Sequence, residues 1–336
     1  MFALAPLALC LLAPLHAAAL RMVTYNLRFD SMPDNITVQQ SLAAVPDPLV
    51  QPAYLALTDE QPWSTRRLKV AEHLISEGIV LAGFQEALVR QVDDLAELLG
   101  DGWGWVGVGR DDGVAAGEFS PVFYKKSDIL LISNDTFWTS NTPFEPSKFP
   151  GAGSFRICTV THLQLKTGAR TKFTYLNTHM DDQSDAQRQL AASLILSRAR
   201  FEAVTTRAPV LVTGDFNSPP TGGGSGAYTI ATGAEPSVPI NATFAAKYAV
   251  PPNADPHFAL VDLKGRAPRR AVRSTFATFT GFTDPSDTSD WQRIDFVFGG
   301  VIWGGETADA YKVESSRTDD GILASDHRPV FADVSL

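Results

Sequence analysis

The chain has 336 residues and a formal net charge of −9 at pH 7. This length fits one large α/β domain. The acidic balance argues against a protein that binds nucleic acid with high affinity by neutralising its backbone with clustered Lys and Arg. It does not exclude a nuclease, which cuts its substrate and releases it, so the charge leaves the substrate class open.

The first segment of the chain is expected to be a signal peptide. Residues 1–19 contain no charged side chain, and an apolar stretch from Leu4 to Leu15 is followed by three alanines that end at Ala19. Signal peptidase cleaves behind small residues that follow a short apolar core, and this stretch is too short to span a bilayer comfortably. We therefore expect cleavage after Ala19, export to the extracellular space and one domain over residues 20–336 without a transmembrane segment.

Export would change the chemistry of three asparagines and of the cysteines. Sequons begin at Asn35, Asn134 and Asn241, and they would accept glycans in a eukaryotic secretory pathway. Cys10 would leave with the signal peptide, so Cys158 would remain as a single cysteine. No intramolecular disulfide is then expected, which a chain of this size tolerates because it can bury a full core.

Short apolar runs follow one another along the chain and predict buried strands. These runs are residues 21–27, 79–85, 122–124, 155–164, 173–178, 210–213, 294–298 and 330–334. Apolar side chains recur at helical spacing, with charges on the opposite face, in residues 66–76, 88–99 and 185–200. The alternation predicts a layered sheet with helices outside it. Residues 30–61, 144–153 and 221–253 are expected to be irregular, and long loops of this kind often shape a binding cleft. Surface decoration is the alternative, and an equal one for residues 221–226.

Nearly every predicted strand ends in an acid, an amide or a histidine. In chain order these residues are Asn26, Glu86, His179, Asp215, Asn217, Asp295, Asp326 and His327. Each of the acids and amides alone is commonly a turn or capping residue, and a lone histidine is more often structural than catalytic. Together, at strand ends that can converge on one rim of a sheet, they predict a functional site.

The motifs around these residues resemble those of the endonuclease/exonuclease/phosphatase superfamily, also called the DNase I-like fold. The matching segments run in the family's order from Arg21 to the C-terminus and are Tyr25-Asn26-Leu27-Arg28, Gly83-Phe84-Gln85-Glu86, Asn177-Thr178-His179, Gly214-Asp215-Phe216-Asn217, Arg293-Ile294-Asp295 and Ser325-Asp326-His327-Arg328-Pro329-Val330. The resemblance implies a four-layered α/β sandwich of two packed sheets flanked by helices. It also implies hydrolysis of phosphoesters with a divalent metal.

The resemblance assigns a metal site and a water-activating group. Glu86 is the expected ligand of Mg²⁺ or Mn²⁺, assisted by Asn26 and Asp326, because hard cations prefer oxygen ligands. Asp215 is expected to orient or deprotonate the attacking water. Asn217 is expected to hold a phosphate oxygen if its segment stays extended.

The two histidines of the motifs receive different expected roles. Asp295 is expected to orient the imidazole of His327, which contacts the phosphate. In members that resemble DNase I, the histidine at the position of His179 pairs with a glutamate, here Glu118, and serves as general acid. The complete set of catalytic residues therefore implies an active enzyme.

Two arginines are expected to contact the substrate phosphate. Arg156 begins a predicted strand, and Arg28 follows the first strand end, although a surface ion pair is an equal alternative for each. No basic loop suited to a DNA groove is evident. The segments Gly109-Arg110-Asp111-Asp112-Gly113 and Phe279-Thr280-Gly281-Phe282 resemble those of a broad group of secreted family members.

These features predict a secreted phosphodiesterase of nuclease type, with nucleic acid as the first candidate substrate. The alternative is a phosphatase or phospholipase C-type hydrolase that acts on sugar-phosphate, inositol-phosphate or sphingomyelin headgroups. A third interpretation is a non-catalytic binding module on the same fold, which would have no chemical need for the whole polar set. The sequence leaves the number of metals and the oligomeric state open.

Overall fold

The structure, a computed structural model, describes residues 19–45, 59–283, 286–300, 307–315 and 321–336. The predicted signal peptide, apart from Ala19, lies outside the described residues. Within them, two β-sheets lie face to face and helices cover their outer sides. This arrangement is the predicted four-layered α/β sandwich.

The first sheet contains seven described strands. Numbered in chain order, they are β1 Leu20–Asn26, β2 Leu81–Gln85, β3 Trp103–Val106, β4 Val122–Lys125, β10 Val272–Ser274, β12 Thr307–Val313 and β13 Val330–Ser335. Their order across the sheet is β10-β12-β13-β1-β2-β4-β3. Strand β1 is parallel to β2 and antiparallel to β13. The carboxyl ends of β1 and β2 therefore meet at one edge of the sheet.

The second sheet contains six described strands. They are β5 Ile129–Trp138, β6 Ile157–Leu165, β7 Lys172–His179, β8 Val210–Asp215, β9 Leu260–Asp262 and β11 Asp295–Gly300. Their order is β5-β6-β7-β8-β11-β9. Strand β8 lies between β7, to which it is parallel, and β11, to which it is antiparallel. The carboxyl ends of β7 and β8 therefore lie beside the amino end of β11.

Helices form the two outer layers. They are α1 Val38–Ala43, α2 Trp63–Ser76, α3 Val89–Leu99, α4 Asp185–Thr206, α5 Gly226–Ala231 and α6 Ala242–Lys247, with 3₁₀ turns at Leu263–Gly265 and Arg269–Ala271. The side chain of Ser184 caps α4 by accepting from Gln187 N at 3.2 Å. No helix in these described ranges is long and apolar enough to cross a membrane.

Three layers of buried apolar side chains hold the sandwich together. Met22 of β1 belongs to the cluster between the sheets, with Tyr175 and Leu211 of the second sheet. Its neighbour Val23 points the other way and packs in the cluster under α2 and α3. Leu194 of α4 covers the outer face of the second sheet. The alternation of side chains along each strand thus supplies two of these layers at once.

Polar contacts set the distance between the sheets near the strand ends. Asn177 Nδ2 donates to Phe84 O at 2.8 Å and to Pro121 O at 3.0 Å, while Gln85 Nε2 donates to Asn177 Oδ1 at 2.7 Å. A Cβ atom on Gly83 would lie 2.5 Å from Asn177 Oδ1. The two sheets can therefore approach this closely because residue 83 is glycine.

The structure differs from the predicted elements in several places. The sequence predicts neither β3 nor β5. Strand β3 is a short aromatic segment in which Trp105 stacks on Phe123 of β4, with 6.1 Å between ring centroids. Strand β5 lies at a sheet edge and exposes much of its length, so it lacks a continuous apolar run. Helices α1, α5 and α6 lie within segments expected to be irregular. Each has only six residues, too few for a clear helical period.

Candidate active site

Three of the predicted site residues lie side by side on neighbouring strands of the second sheet. In the strand register, Asp215 of β8 is paired with His179 of β7 and with Asp295 of β11. A Cβ atom on Gly214 would lie 2.1 Å from Thr178 O, so β8 can reach this position beside β7 only because residue 214 is glycine. The sheet therefore brings an imidazole and two carboxylates together at one rim.

Asn26, at the end of β1, links this rim to the first sheet. Its Nδ2 donates to Glu86 Oε1 at 3.0 Å and to Asp215 Oδ2 at 3.0 Å. Its Oδ1 accepts from Arg28 N at 2.9 Å. Glu86 follows β2, and its Oε2 accepts from Phe29 N at 3.1 Å. Because both Nδ2 hydrogens of the buried Asn26 are engaged, this amide orients the two carboxylates, and Asn26 is not among the residues that line the cavity.

Three residues of the site have a left-handed backbone conformation. The φ angles are 57° at Arg28, 59° at Glu86 and 45° at Asn217. Such conformations cost about 1–3 kcal/mol each and concentrate at functional sites. The finding corrects the expectation that the segment of Asn217 stays extended. Its backbone turns, so that its N donates to Asp215 Oδ1 at 2.9 Å and its Nδ2 to Met180 O at 3.1 Å.

His327 lies between two carboxylates. Its Nδ1 is 2.9 Å from Asp295 Oδ2, as predicted, and its Nε2 is 3.6 Å from Asp215 Oδ2. Burial alone would lower the pKa of His327, but the charges of Asp295 and Asp215 raise it to about 10. Burial and the charge of Asp295 raise the pKa of Asp215 to about 7. The cluster therefore favours a protonated imidazole beside a carboxylate that titrates near neutrality.

His179 has a different environment, because a cation lies against its ring. Arg156 Nη1 is 2.9 Å from Nδ1, whereas Glu118 Oε2 is 3.7 Å from the same nitrogen. A guanidinium can only donate, so Nδ1 accepts and the ring proton is on Nε2, 3.6 Å from Asp215 Oδ2. Asn217 Nδ2 lies 3.2 Å from Nε2, which is a longer contact than that between Arg156 and Nδ1. A neutral imidazole carries one ring proton, so its two ring nitrogens cannot both accept a hydrogen bond. Burial and the charge of Arg156 lower the pKa of His179 well below its ordinary value.

The predicted partner of His179 binds another residue. Glu118 forms an ion pair with Nη1 of Arg110, at a short hydrogen-bonding distance. Its 3.7 Å separation from His179 makes the two side chains neighbours without a hydrogen bond. The two residues that the sequence pairs are therefore neighbours, but Arg110 takes the hydrogen-bonding position on Glu118 and Arg156 takes the one on His179.

Both arginines that the sequence singles out face the same cavity. Arg156 is buried, and its Nε and Nη2 donate to Asp181 Oδ2 at 3.3 Å and to Asp182 Oδ1 at 2.7 Å. Arg28 lies 3.4 Å from the Glu60 carboxylate through Nε. Each arginine thus lines the cavity and also forms an ion pair, and the pairs of Arg156 are made by a buried side chain.

The carboxylates of Glu86 and Asp326 could hold a divalent cation. Both line the cavity. Burial lowers the pKa of Arg28, but the charges of Asp326, Glu86 and Glu60 outweigh burial and raise it above its usual value. These acids thus gather negative charge around one arginine. Carboxylate oxygens suit Mg²⁺ or Mn²⁺ and disfavour soft metals.

A second group of possible ligands lies deeper in the rim. Asp215, Asp295 and His327 each offer one ligand atom, and these atoms lie within 4.8 Å of one another. However, the 2.9 Å contact between His327 Nδ1 and Asp295 Oδ2 already uses an atom of each. His327 Nε2 and the buried Asp295 Oδ1 remain as donor atoms, so this group is a second candidate metal site beside Glu86 and Asp326, which offer oxygen atoms only.

An open cavity of about 600 Å³ lies over this rim. The predicted residues that line it are Arg28, Glu86, Glu118, Arg156, His179, Asp215, Asn217, Asp326 and His327. Asn26 and Asp295 are fully buried and support the others. Sequence reasoning assigned no role to Arg110, Arg188 or Phe279, which also line the cavity. The segments around Arg110 and Phe279 stood out in the sequence, whereas Arg188, an ordinary helical residue, gave no signal.

Comparison with known proteins agrees with this architecture. The model of the Endonuclease/Exonuclease/phosphatase family matches residues 23–327. An endonuclease/exonuclease/phosphatase from Bacteroides vulgatus has a similar structure, with a TM-score of 0.70 and 25% sequence identity over 95% of this chain and 99% of that one. None of the curated proteins compared with this chain matches it.

Two further solved structures show the same fold. A mannosyl-6-phosphatase from Bacteroides thetaiotaomicron gives a TM-score of 0.67 at 24% identity, over 94% of this chain and 100% of that one. TDP2 from D. rerio, complexed with a single-strand DNA product, gives a TM-score of 0.59 at 14% identity, over 95% of this chain and 100% of that one.

Proposed function

We propose, because this chain belongs to the endonuclease/exonuclease/phosphatase family, that it hydrolyses phosphoesters with a divalent cation at Glu86 and Asp326. As a member of that family the chain is a phosphoester hydrolase. The observation that carries the finer proposal is the position of Asp215, whose Oδ2 lies 3.6 Å from Nε2 of both His179 and His327. A phosphate in the cavity would meet one carboxylate and two imidazole nitrogens.

In the proposed reaction, Asp215 accepts a proton from the attacking water. A general base works best when its pKa is near the working pH, and the raised pKa of Asp215 meets this condition. Asn26 orients the carboxylate through its 3.0 Å hydrogen bond to Oδ2. Asn217 is placed at the same cavity by its turn and can donate to a phosphate oxygen.

The two histidines take separate parts in this proposal. His327 carries a proton, so it stabilises charge on the phosphate and gives the proton to the leaving oxygen, with Asp295 orienting the ring. His179 is neutral and donates a hydrogen bond through Nε2 to a phosphate oxygen. The sequence predicts His179 as the acid; the Arg156 contact favours His327 instead, because a neutral imidazole is a weak acid.

A bound divalent cation would supply positive charge that stabilises the developing negative charge on the phosphate and the leaving oxygen. Glu86 and Asp326 would hold it, and Mg²⁺ or Mn²⁺ suits their oxygen atoms. Asn26 and Phe29 N hold Glu86 in place through hydrogen bonds of 3.0 and 3.1 Å. Arg28 and Arg156 would bind the remaining phosphate oxygens.

Two substrate classes are candidates. The sequence predicts a phosphodiesterase of nuclease type, and one protein of similar fold, TDP2, is complexed with a DNA product. The alternative class of small phosphorylated compounds draws support from the fold likeness to a mannosyl-6-phosphatase. We also propose export to the extracellular space from the apolar N-terminus and its alanines.

Purified protein tests the proposal directly. It should be incubated with Mg²⁺ or Mn²⁺ and with DNA, RNA, sphingomyelin, inositol phosphates, mannose 6-phosphate and p-nitrophenyl esters of phosphate. Hydrolysis that Asp215→Asn abolishes, with an unchanged unfolding midpoint, supports the proposed reaction. Absence of hydrolysis across the whole panel with both metals would overturn it.

A further inference from the structure

The loop that precedes β4 brings an additional arginine to the cavity. Arg110 N donates to Glu118 O at 3.0 Å, which closes the loop. The Asp112 carboxylate accepts from three following backbone N–H groups at 2.8–2.9 Å. A Cβ atom on Gly109 would lie 2.4 Å from Ala116 O, so the loop needs glycine there. These contacts define the backbone from which the side chain of Arg110 extends.

Arg110 has unused capacity for hydrogen bonds. Its side chain is only 13% exposed, and Nη1 binds Glu118. The buried Nε has no hydrogen-bond partner, since Asp111 Oδ1 is 3.8 Å away. Among the described residues, Nη2 has no hydrogen-bond partner either. Arg156, by contrast, uses all three of its guanidinium nitrogens.

The surroundings of Arg110 favour an anion. Burial lowers the pKa of Arg110, Glu118 offsets only part of this effect, and nearby Arg156 lowers the pKa further. Arg110, Arg156 and His179 line the same cavity and also border one small void beside it. An anion bound here would supply the charge and the acceptors that the guanidinium lacks.

We propose that Arg110 is a substrate-binding residue that selects phosphomonoesters over phosphodiesters, which rests on the phosphoester hydrolysis proposed above. A monoester carries a charge of about −1.5 to −2 at pH 7 and offers three terminal oxygens, as a phosphorylated side chain does. A diester carries one charge and two terminal oxygens. The planar guanidinium suits terminal phosphate oxygens. A diester has only these two oxygens to share among the cation, Arg156 and Arg110, so one of the donors would meet an uncharged oxygen bonded to carbon.

Two substrates with the same leaving group test this selection. The full chain is assayed with Mn²⁺ on p-nitrophenyl phosphate and on methyl p-nitrophenyl phosphate, and the readout is the ratio of the two kcat/KM values. Arg110→Met should lower kcat/KM for the monoester by about 10- to 100-fold and for the diester by a clearly smaller factor. Arg110→Lys should recover part of the loss, since it keeps the charge without the planar pair of donors.

A double variant separates two effects of removing Arg110: the loss of a phosphate-binding group and the repulsion of phosphate by the unpaired Glu118 carboxylate. Arg110→Met exposes the Glu118 carboxylate, so Arg110→Met/Glu118→Gln should show the same change in ratio. Competitive inhibition by inorganic phosphate should also weaken in both variants. The exposed Arg266→Met serves as a matched control and should keep the wild-type ratio.

The results of these assays distinguish failure of the selection by Arg110 from failure of the proposed phosphoester hydrolysis. Equal losses on both esters in Arg110→Met, or unchanged inhibition by phosphate, would overturn the selection by Arg110. A wild-type enzyme that cleaves only diesters would overturn it as well, while leaving the proposed hydrolysis intact. If the wild type cleaves neither ester nor any substrate of the wider panel with Mg²⁺ or Mn²⁺, the proposed function itself fails.

Discussion

His327 Nδ1 lies 2.9 Å from Asp295 Oδ2, and this contact makes the two histidines of the site chemically different. His327 faces carboxylates, which raise its pKa. His179 faces the guanidinium of Arg156, and burial together with that cation lowers its pKa. One ring is therefore charged and the other neutral at the same pH. Opposite environments of this kind assign separate acid and hydrogen-bonding roles.

Asp295→Asn should move the whole pH profile of kcat/KM toward lower pH. The negative charge of Asp295 raises the pKa values of both His327 and Asp215, so its removal lowers both. The acidic limb, set by deprotonation of Asp215, and the basic limb, set by loss of the proton of His327, then shift in the same direction. Rates measured between pH 5 and pH 10 would show this; limbs that stay in place would contradict the assignment.

Replacement of each histidine should depend differently on the leaving group. His327→Ala should lower kcat/KM by about 10²–10⁴-fold for an ester with an alkoxide leaving group. The decrease should be smaller for an ester with a p-nitrophenolate leaving group, which needs no proton. His179→Ala should lower kcat/KM by similar factors for both esters, because the proposed role of His179 is only to donate a hydrogen bond. The sequence-based assignment of His179 as acid predicts the reverse pattern. Both variants need wild-type unfolding midpoints for the comparison to hold.

Chelation should abolish activity, and Mg²⁺ or Mn²⁺ should restore it. Glu86→Gln removes a charge from the proposed ligand pair, so this variant should need a higher metal concentration for half-maximal activity. Glu145→Gln, at an exposed position, should need the same concentration as the wild type. Thermal unfolding gives an independent readout, since a cation that binds only the folded state raises Tm with concentration. Full activity after verified removal of metal would rule out the proposed site.

Glu202→Gln should destabilise the fold at neutral pH and lose this effect in acid. Burial raises the pKa of Glu202, but hydrogen bonds from His162 at 2.8 Å and Arg198 at 2.7 Å set it below its usual value of 4.5. A carboxyl group whose pKa is lower in the folded state than in the unfolded state stabilises the fold at pH values above its unfolded-state pKa. This stabilisation is lost as the pH falls through its folded-state pKa.

The difference in unfolding free energy between wild type and Glu202→Gln should therefore be about 1–3 kcal/mol at pH 7 and shrink below pH 4.5. Denaturant titrations at several pH values measure it. A difference that is constant with pH would show that the carboxylate contributes only as a neutral hydrogen-bond partner.

Gly83→Ala should destabilise the sandwich by about 1–3 kcal/mol, because the added methyl would overlap Asn177, 2.5 Å away. Gly265→Ala is the matched control, since a Cβ there meets nothing within 4 Å. Equal unfolding midpoints for the two variants would mean that the sheets can separate at no cost.

Much of the fold could be predicted because its signals are local. Apolar runs, helical spacing and polar residues at strand ends are properties of a few adjacent residues. They predict strands β1, β2, β4, β6, β7, β8, β11 and β13 and helices α2, α3 and α4. Edge strand β5 was missed because half-exposed residues break its apolar pattern. The short helices were missed because six residues carry too little periodicity.

The sequence by itself predicted nine of the side chains that line the cavity, since their order and motifs match one family, but it gave no role to Arg110 or Arg188. Only the tertiary structure decided what each one touches. Asn26 and Asp215 are 189 residues apart yet lie 3.0 Å from each other, and Arg156 displaces Glu118 from the hydrogen-bonding position on His179. A protonation state depends on burial and on charges within a few ångströms, and those neighbours come from distant parts of the chain.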